Sequence, residues 1–104
     1  MKLRWLPLAL SDLDGIRSYI AEDDPAAARR WVTRLQARAR TAASAPMAGR
    51  VVPELDRHDV REVFLRSYRI VYRVLNAEIQ VLTVFEGHRL FPRDAAVDDG
   101  EPDQ

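Results

Sequence analysis

No cysteine occurs among the 104 residues, which excludes disulfide scaffolds, thiolate zinc sites and thiol nucleophiles. Lysine is nearly as scarce. Lys2 stands alone against fifteen arginines, so the positive charge is almost wholly guanidinium, a group suited to buried ion pairs and to planar recognition of carboxylate or phosphate. No apolar run approaches the roughly 20 residues of a membrane span. Met1 to Leu10 lacks the basic region, apolar stretch and small-residue cleavage site of a secretory signal, so a cytoplasmic protein without a membrane partner is expected. Only four glycines are present, and none falls in a phosphate-cradling pattern; Gly49-Arg50 reads as a turn. His58 and His88 are the only imidazoles and have no carboxylate at ligand spacing, so neither a metal site nor a cofactor is expected.

What is present fits one small folded unit: 47% hydrophobic and 31% charged residues in a chain of single-domain length. The formal net charge of zero conceals a segregation. Asp94, Asp98, Asp99, Glu101 and Asp103 crowd the last eleven residues, and without that stretch the chain is net +5. A folded domain over residues 1–93 and an acidic, disordered tail over 94–104 are expected, the tail screening the basic domain.

Lys2-Leu3-Arg4-Trp5-Leu6 alternates as a strand does. Pro7 ends it and opens a helix to about Glu22, with Leu10, Leu13, Ile16 and Ile20 as its apolar stripe. Asp24 and Pro25 supply an N-cap and a first residue for a second helix to about Ala43, striped by Ala28, Trp31, Val32, Leu35, Ala39 and Ala42. Trp5 and Trp31 lie on apolar stripes and read as core. Arg30, Arg34 and Arg38 form a separate row, a solvated face or, alternatively, a nucleic-acid contact. Arg50 to Leu55 is extended and interrupted by Pro53. Three strands then follow, 60–65, 68–75 and 78–85, separated by the two-residue gaps Arg66-Ser67 and Asn76-Ala77, which demand antiparallel hairpins. The fold class is α+β, in the order β-α-α-β-β-β, with a helical hairpin on one face of an antiparallel sheet.

Both sheet faces carry large apolar residues, and one helical layer covers only one of them. On the central strand Tyr68, Ile70, Tyr72 and Val74 oppose Arg69, Val71, Arg73 and Leu75. On the last strand Ile79, Val81, Thr83 and Phe85 oppose Gln80, Leu82, Val84 and Glu86. The second face is either a partner surface or covered by the chain's own termini and arginine stems. Arg69 and Arg73 either contact a ligand or pair with Glu62 or Glu78 across the sheet.

The order and spacing of Trp5-Leu6-Pro7-Leu8-Ala9-Leu10-Ser11-Asp12-Leu13, Ile16-Arg17-Ser18-Tyr19-Ile20, Gly49-Arg50-Val51-Val52-Pro53-Glu54-Leu55, Val60-Arg61-Glu62-Val63, Tyr68-Arg69-Ile70-Val71-Tyr72-Arg73-Val74 and Gly87-His88-Arg89 resemble the ParE branch of the RelE/ParE toxin superfamily. That resemblance implies a toxin that binds and inhibits DNA gyrase without chemistry of its own and is neutralised by a cognate antitoxin. It also implies no direct DNA binding without the antitoxin, and assembly into oligomers through it. On this reading Arg61, Arg69, Arg73, Glu86, His88, Arg89 and Arg93 are target contacts. Val71, Leu75, Leu82 and Val84, with the C-terminal strand edge, take the antitoxin. The RelE-like alternative, ribosome-dependent messenger RNA cleavage, assigns Glu54 as base, Arg69 to phosphate, and His88 or Arg89 as acid. Against it, the lysine cluster of that branch has no counterpart, and no Tyr follows Tyr72 to supply its stacking aromatic. A third reading is a degenerate toxin kept as a binding module.

Overall fold

A computed structural model describes residues 1–95. The acidic tail expected from residue 94 onward lies, past Ala95, outside the described residues. The chain forms β1 (Lys2–Trp5), α1 (Pro7–Ala21), α2 (Pro25–Ser44), a single 3-10 turn (Pro46–Ala48), β2 (Arg50–Val51), β3 (Val60–Leu65), β4 (Tyr68–Val74) and β5 (Glu78–Glu86). The expected order of elements holds. Pro7 and Pro25 each occupy the start of a helix, where a missing N–H costs nothing, and Asp24 Oδ1 accepts from the Ala27 N–H at 3.0 Å. The stripe of α1 is rotated from the expected one. Ala9 and Leu13 are its buried residues, Ile16 packs beside them, and Leu10 is exposed.

The five strands form one sheet in the order β1-β5-β4-β3-β2. The sheet is mixed rather than antiparallel throughout, because β1 runs parallel to β5. A parallel neighbour needs a long crossover, which the helical hairpin and the three following strands supply. No local spacing encodes that pairing. It also removes the expected free edge on the C-terminal strand, since β5 is interior and β1 and β2 are the edges.

The helices lie on one face, packing Leu35 and Ala39 of α2 over Ile70, Tyr72, Ile79, Val81 and Val84 of the sheet. Along β5 the expected alternation breaks once. The register steps from Val71 opposite Thr83 to Tyr72 opposite Val81, leaving Leu82 as an extra residue. Beyond it the phase inverts, so Val84 joins the helix-side core while Leu82 and Phe85 share the second face. Next to the bulge Asp12 of α1 reaches the strand: its Oδ2 accepts from Thr83 Oγ1 at 2.6 Å and from the Val84 N–H at 2.9 Å, so neither buried donor is left unpaired.

The second face is not open. Val52, Val60, Val71, Leu82 and Phe85 form a core of their own, closed by Leu6, Leu55 and Phe91. Of the residues expected to offer apolar surface to an antitoxin, Val71 and Leu82 have no exposure and Val84 only 2%; Leu75 alone is half-buried. The bulge explains Val84, and the return of the chain through Phe91 explains the other two.

One close approach fixes the joint between α2 and the sheet. Tyr72 is fully buried, and its hydroxyl donates to the Pro46 carbonyl at 2.6 Å. The same hydroxyl lies where a Cβ on Gly49 would stand, and the Glu62 carbonyl is only 3.0 Å from that point. Gly49→Ala therefore destabilises the domain by about 1–3 kcal/mol, the range for overpacking. Adding Tyr72→Phe, which removes the colliding oxygen, recovers part of that loss, as a double-mutant cycle of urea unfolding will show.

Candidate functional site

Strand periodicity and register put Arg50, Glu62 and Arg69 on the second face across three adjacent strands. Arg50 stands directly opposite Glu62, and Glu62 pairs with Val71, two residues from Arg69, which makes Glu62 and Arg69 diagonal neighbours. Their side chains form a continuous ion-pair chain. Arg50 Nε and Nη2 donate to Glu62 Oε2 at 2.9 and 2.6 Å, and Arg69 Nε donates to Glu62 Oε1 at 2.7 Å. The two remaining nitrogens of Arg69 donate in parallel to Glu54, Nη1 to Oε2 and Nη2 to Oε1, each at 2.8 Å. That fork on a carboxylate is the geometry guanidinium favours most. The Glu62 side chain is wholly buried and that of Arg69 is 7% exposed, whereas Glu54 and Arg50 reach water at the two ends.

Aromatic rings close the site. The Arg69 guanidinium lies 5.1 Å from the Phe85 ring centroid and 5.8 Å from that of Phe91, and the two rings meet edge to face at 5.6 Å. Beside Glu54 is a cleft of about 500 Å³, lined also by Leu55, Arg57, Phe91, Pro92 and Arg93. At its rim Asp59 binds Arg57 at 2.9 Å and Arg73 at 3.2 Å. Burial works to raise the Asp59 pKa, but the hydrogen bonds and charge of Arg57, with help from Arg73, hold it below the ordinary value.

These contacts decide what the site can do chemically. The Arg69 hydrogen bonds outweigh partial desolvation and lower Glu54 to about 2, and Glu54 in turn raises Arg69 further. A general base works best with a pKa near the operating pH. Glu54 is far from that, and both its oxygens are occupied. All three donor nitrogens of Arg69 already face carboxylates, so a phosphate there would have to displace Glu54. Arg89 and Glu86 line a different depression, with Asp12, Ile16, Tyr19 and Tyr68. His88 is 73% exposed and 4.0 Å from Glu86. The expected acid–base set thus divides between two places. Among the described residues no group of three or more His, Asp or Glu side chains converges to hold a metal, and no helix is long and apolar enough to cross a membrane.

The expected target contacts divide the same way. Arg69 is locked in the ion-pair chain, and Arg73 binds Asp59 rather than Glu62 or Glu78. Arg61 spends its guanidinium on the carbonyls of His58, Met47 and Gly49 and on His58 Nδ1. Glu86 at the end of β5 and the exposed His88 and Arg89 of the turn after it remain together, while the exposed Arg93 lines the cleft beside Glu54. That turn also presents Leu90, 93% exposed, which the sequence reading missed because no periodicity continues past Gly87. Arg50 and Phe91 as neighbours of Arg69 were missed as well. Only the strand register and the chain's return bring them there.

Known proteins match this architecture. The family model described as the ParE toxin of type II toxin-antitoxin system, parDE, matches residues 3–91. The chain is 36% identical over 94 residues to "Putative toxin Y4kP" of Sinorhizobium fredii, covering 88% of this chain and 94% of that protein. A solved structure, "Chromosomal ParDE TA system from P. aeruginosa", superposes with a TM-score of 0.68 at 26% identity, covering 83% of this chain and 95% of that one.

The coupling of Glu54 to Arg69 sets an acid limit on stability. A carboxyl whose folded pKa lies below its unfolded value contributes stability that is complete above the unfolded pKa, 4.5, and lost as pH falls toward the folded value of about 2. Solvent screens part of it, because the Glu54 side chain is 41% exposed. Thermal unfolding as a function of pH is expected to show stability falling from about pH 4.5 to about pH 2. Glu54→Gln should be less stable at neutral pH and flatter across that window.

Proposed function

The chain belongs to the ParE family and is a toxin of a type II toxin–antitoxin system, and from that premise we propose that it acts in the cytoplasm by binding DNA gyrase, without a chemical step of its own. The observation that carries this reading is the saturation of Glu54 and Arg69 by each other and by Glu62. The two groups a ribonuclease would need for base and phosphate work here as a structural tie. Target contact belongs to the turn after β5, where His88 and Arg89 directly precede the exposed Leu90, with Arg93 further along at the cleft beside Glu54. An exposed apolar anchor beside polar groups has the composition of an interface hot spot.

The cognate antitoxin fits elsewhere. Tyr19 is 73% exposed and Leu10 53%, and Tyr19, Ile16 and Tyr68 line a depression of about 370 Å³ between α1 and the sheet. An amphipathic segment laid there buries apolar surface. Glu86 and Arg89 line the same depression, so its occupant covers part of the target surface, and neutralisation follows by direct competition.

In a supercoiling assay with purified gyrase, the protein is expected to block supercoiling. Leu90→Asp, His88→Ala and Arg89→Ala each weaken inhibition about tenfold or more, the scale of a hot-spot loss, while Glu54→Gln does not. Codon-specific cutting of ribosome-bound message by the wild type would overturn the assignment. Tyr19→Asp is expected to weaken the antitoxin complex about tenfold or more in a calorimetric titration and to leave gyrase inhibition in place; unchanged antitoxin affinity would remove α1 from that interface.

A further inference from the structure

Helix α2 carries five arginines, Arg29, Arg30, Arg34, Arg38 and Arg40, and no acidic residue from Pro25 to Ser44. Arg38 has a structural use, since its Nε donates to the Phe64 carbonyl at 3.1 Å. The other four are exposed, and among the described residues none forms an ion pair with a carboxylate. At 3.6 residues per turn they fall within an arc of about 140°, opposite the buried Leu35 and Ala39. Ala26, Thr33 and Ala37 stand between them on the same arc. Ala26, Arg29, Arg30, Thr33 and Arg34 border a shallow depression of about 450 Å³. Arg34 is held in place over the Trp31 ring, 4.9 Å from its centroid.

The chemistry of this face selects its occupant. A protein interface depends on buried aromatic or aliphatic anchors, and the large apolar side chains exposed among the described residues, such as Leu10, Tyr19, Phe64 and Leu90, all lie outside α2. Unpaired bases would need aromatic faces to stack on. Trp31 is half-buried between Arg34 and Tyr68, so it offers none. A rod of regularly spaced phosphates needs only guanidinium groups and small residues that permit close approach. From Arg29 to Arg40 the helix advances about 17 Å, and each strand of a duplex carries a phosphate about every 3.4 Å of the duplex axis, so the row has the length of roughly five base-pair steps.

We propose that the exposed face of α2 is a docking surface for the phosphate backbone of duplex DNA, independent of base sequence. The net charge of zero conceals this face because the compensating acids lie on other elements, and the proposal departs from the expectation of no direct DNA binding without the antitoxin. The choice of DNA over duplex RNA rests on the gyrase reading, gyrase being an enzyme bound to DNA. There the contact would raise the local concentration of toxin at its target.

The test uses the full chain and a fluorescent duplex of about 20 base pairs without gyrase, so its outcome is separate from that of the inhibition assay. Across about 50 to 200 mM salt, a slope between about −3 and −4 in log affinity against log salt is expected for about four phosphate contacts. The variant R29A/R30A/R34A should bind at least about tenfold more weakly, with a slope flatter by about 2 to 3 and unchanged thermal unfolding. K2A/R4A/R17A removes the same charge from exposed positions elsewhere and should bind within about twofold of the wild type. The proposal is overturned if the wild type does not bind, if the α2 variant keeps wild-type affinity and slope, or if both variants lose equally. Competition by polyglutamate as effective as by DNA, which would mark an acidic-protein surface, and tighter binding of duplex RNA overturn it too.

Discussion

Glu62 is a carboxylate without solvent, and the sheet is arranged around neutralising it. An unpaired charge at that depth would cost several kcal/mol, so Arg69 and Arg50 must reach it from either side. Their reach requires β2, β3 and β4 to keep one register. Arg69 then carries a surplus that Glu54 absorbs at the rim, and holding Glu54 there fixes the loop between β2 and β3. Phe85 and Phe91 complete the enclosure by covering the guanidinium. Replacing such a chain by apolar residues is often neutral or stabilising, so its value here lies in specifying register and in ordering the 52–56 loop and the return through Phe91.

A single layer of helices on a sheet with two apolar faces leaves a second surface to close. In many such folds a partner would do it. Here Leu6, Leu55 and Phe91 do so from within the chain, and the bulge at Leu82 adjusts which residues of β5 each face receives. Asp12 ties the two layers together next to that point by accepting from the Thr83 hydroxyl and the Val84 N–H. Helix position and strand phase are thereby coupled, and neither can shift without leaving a buried N–H or hydroxyl unpaired.

The distribution of charge separates structural arginines from available ones. Arg50, Arg57, Arg61, Arg69 and Arg73 are bound to carboxylates or carbonyls of the sheet and its loops. Exposed cations outside these contacts include those on the outer face of α2 and on the turn after β5. On the proposed function, binding falls to surfaces outside the sheet's second face, where positive charge or exposed apolar groups remain. A ligation state for Glu54 and Arg69 compatible with catalysis would require breaking the interactions that hold the second face together.

Local periodicity and turn length determined the helices, the three hairpin strands and their order, because each depends on residues within a few positions of one another. The spacing of Glu62 and Arg69 also carried their pairing, as one of two readings. The parallel docking of β1 on β5, the extra residue at Leu82 and the cover supplied by Phe91 were not legible. A bulge leaves no signature in alternation until a register exists, and a parallel neighbour is reached only after the intervening chain has folded. The sequence by itself thus determined which segments are helix and strand and which arginines share a face. Only the tertiary structure decided which of those arginines are consumed, since consumption depends on acids such as Glu54 and Asp59 that approach through loops whose path no local pattern dictates.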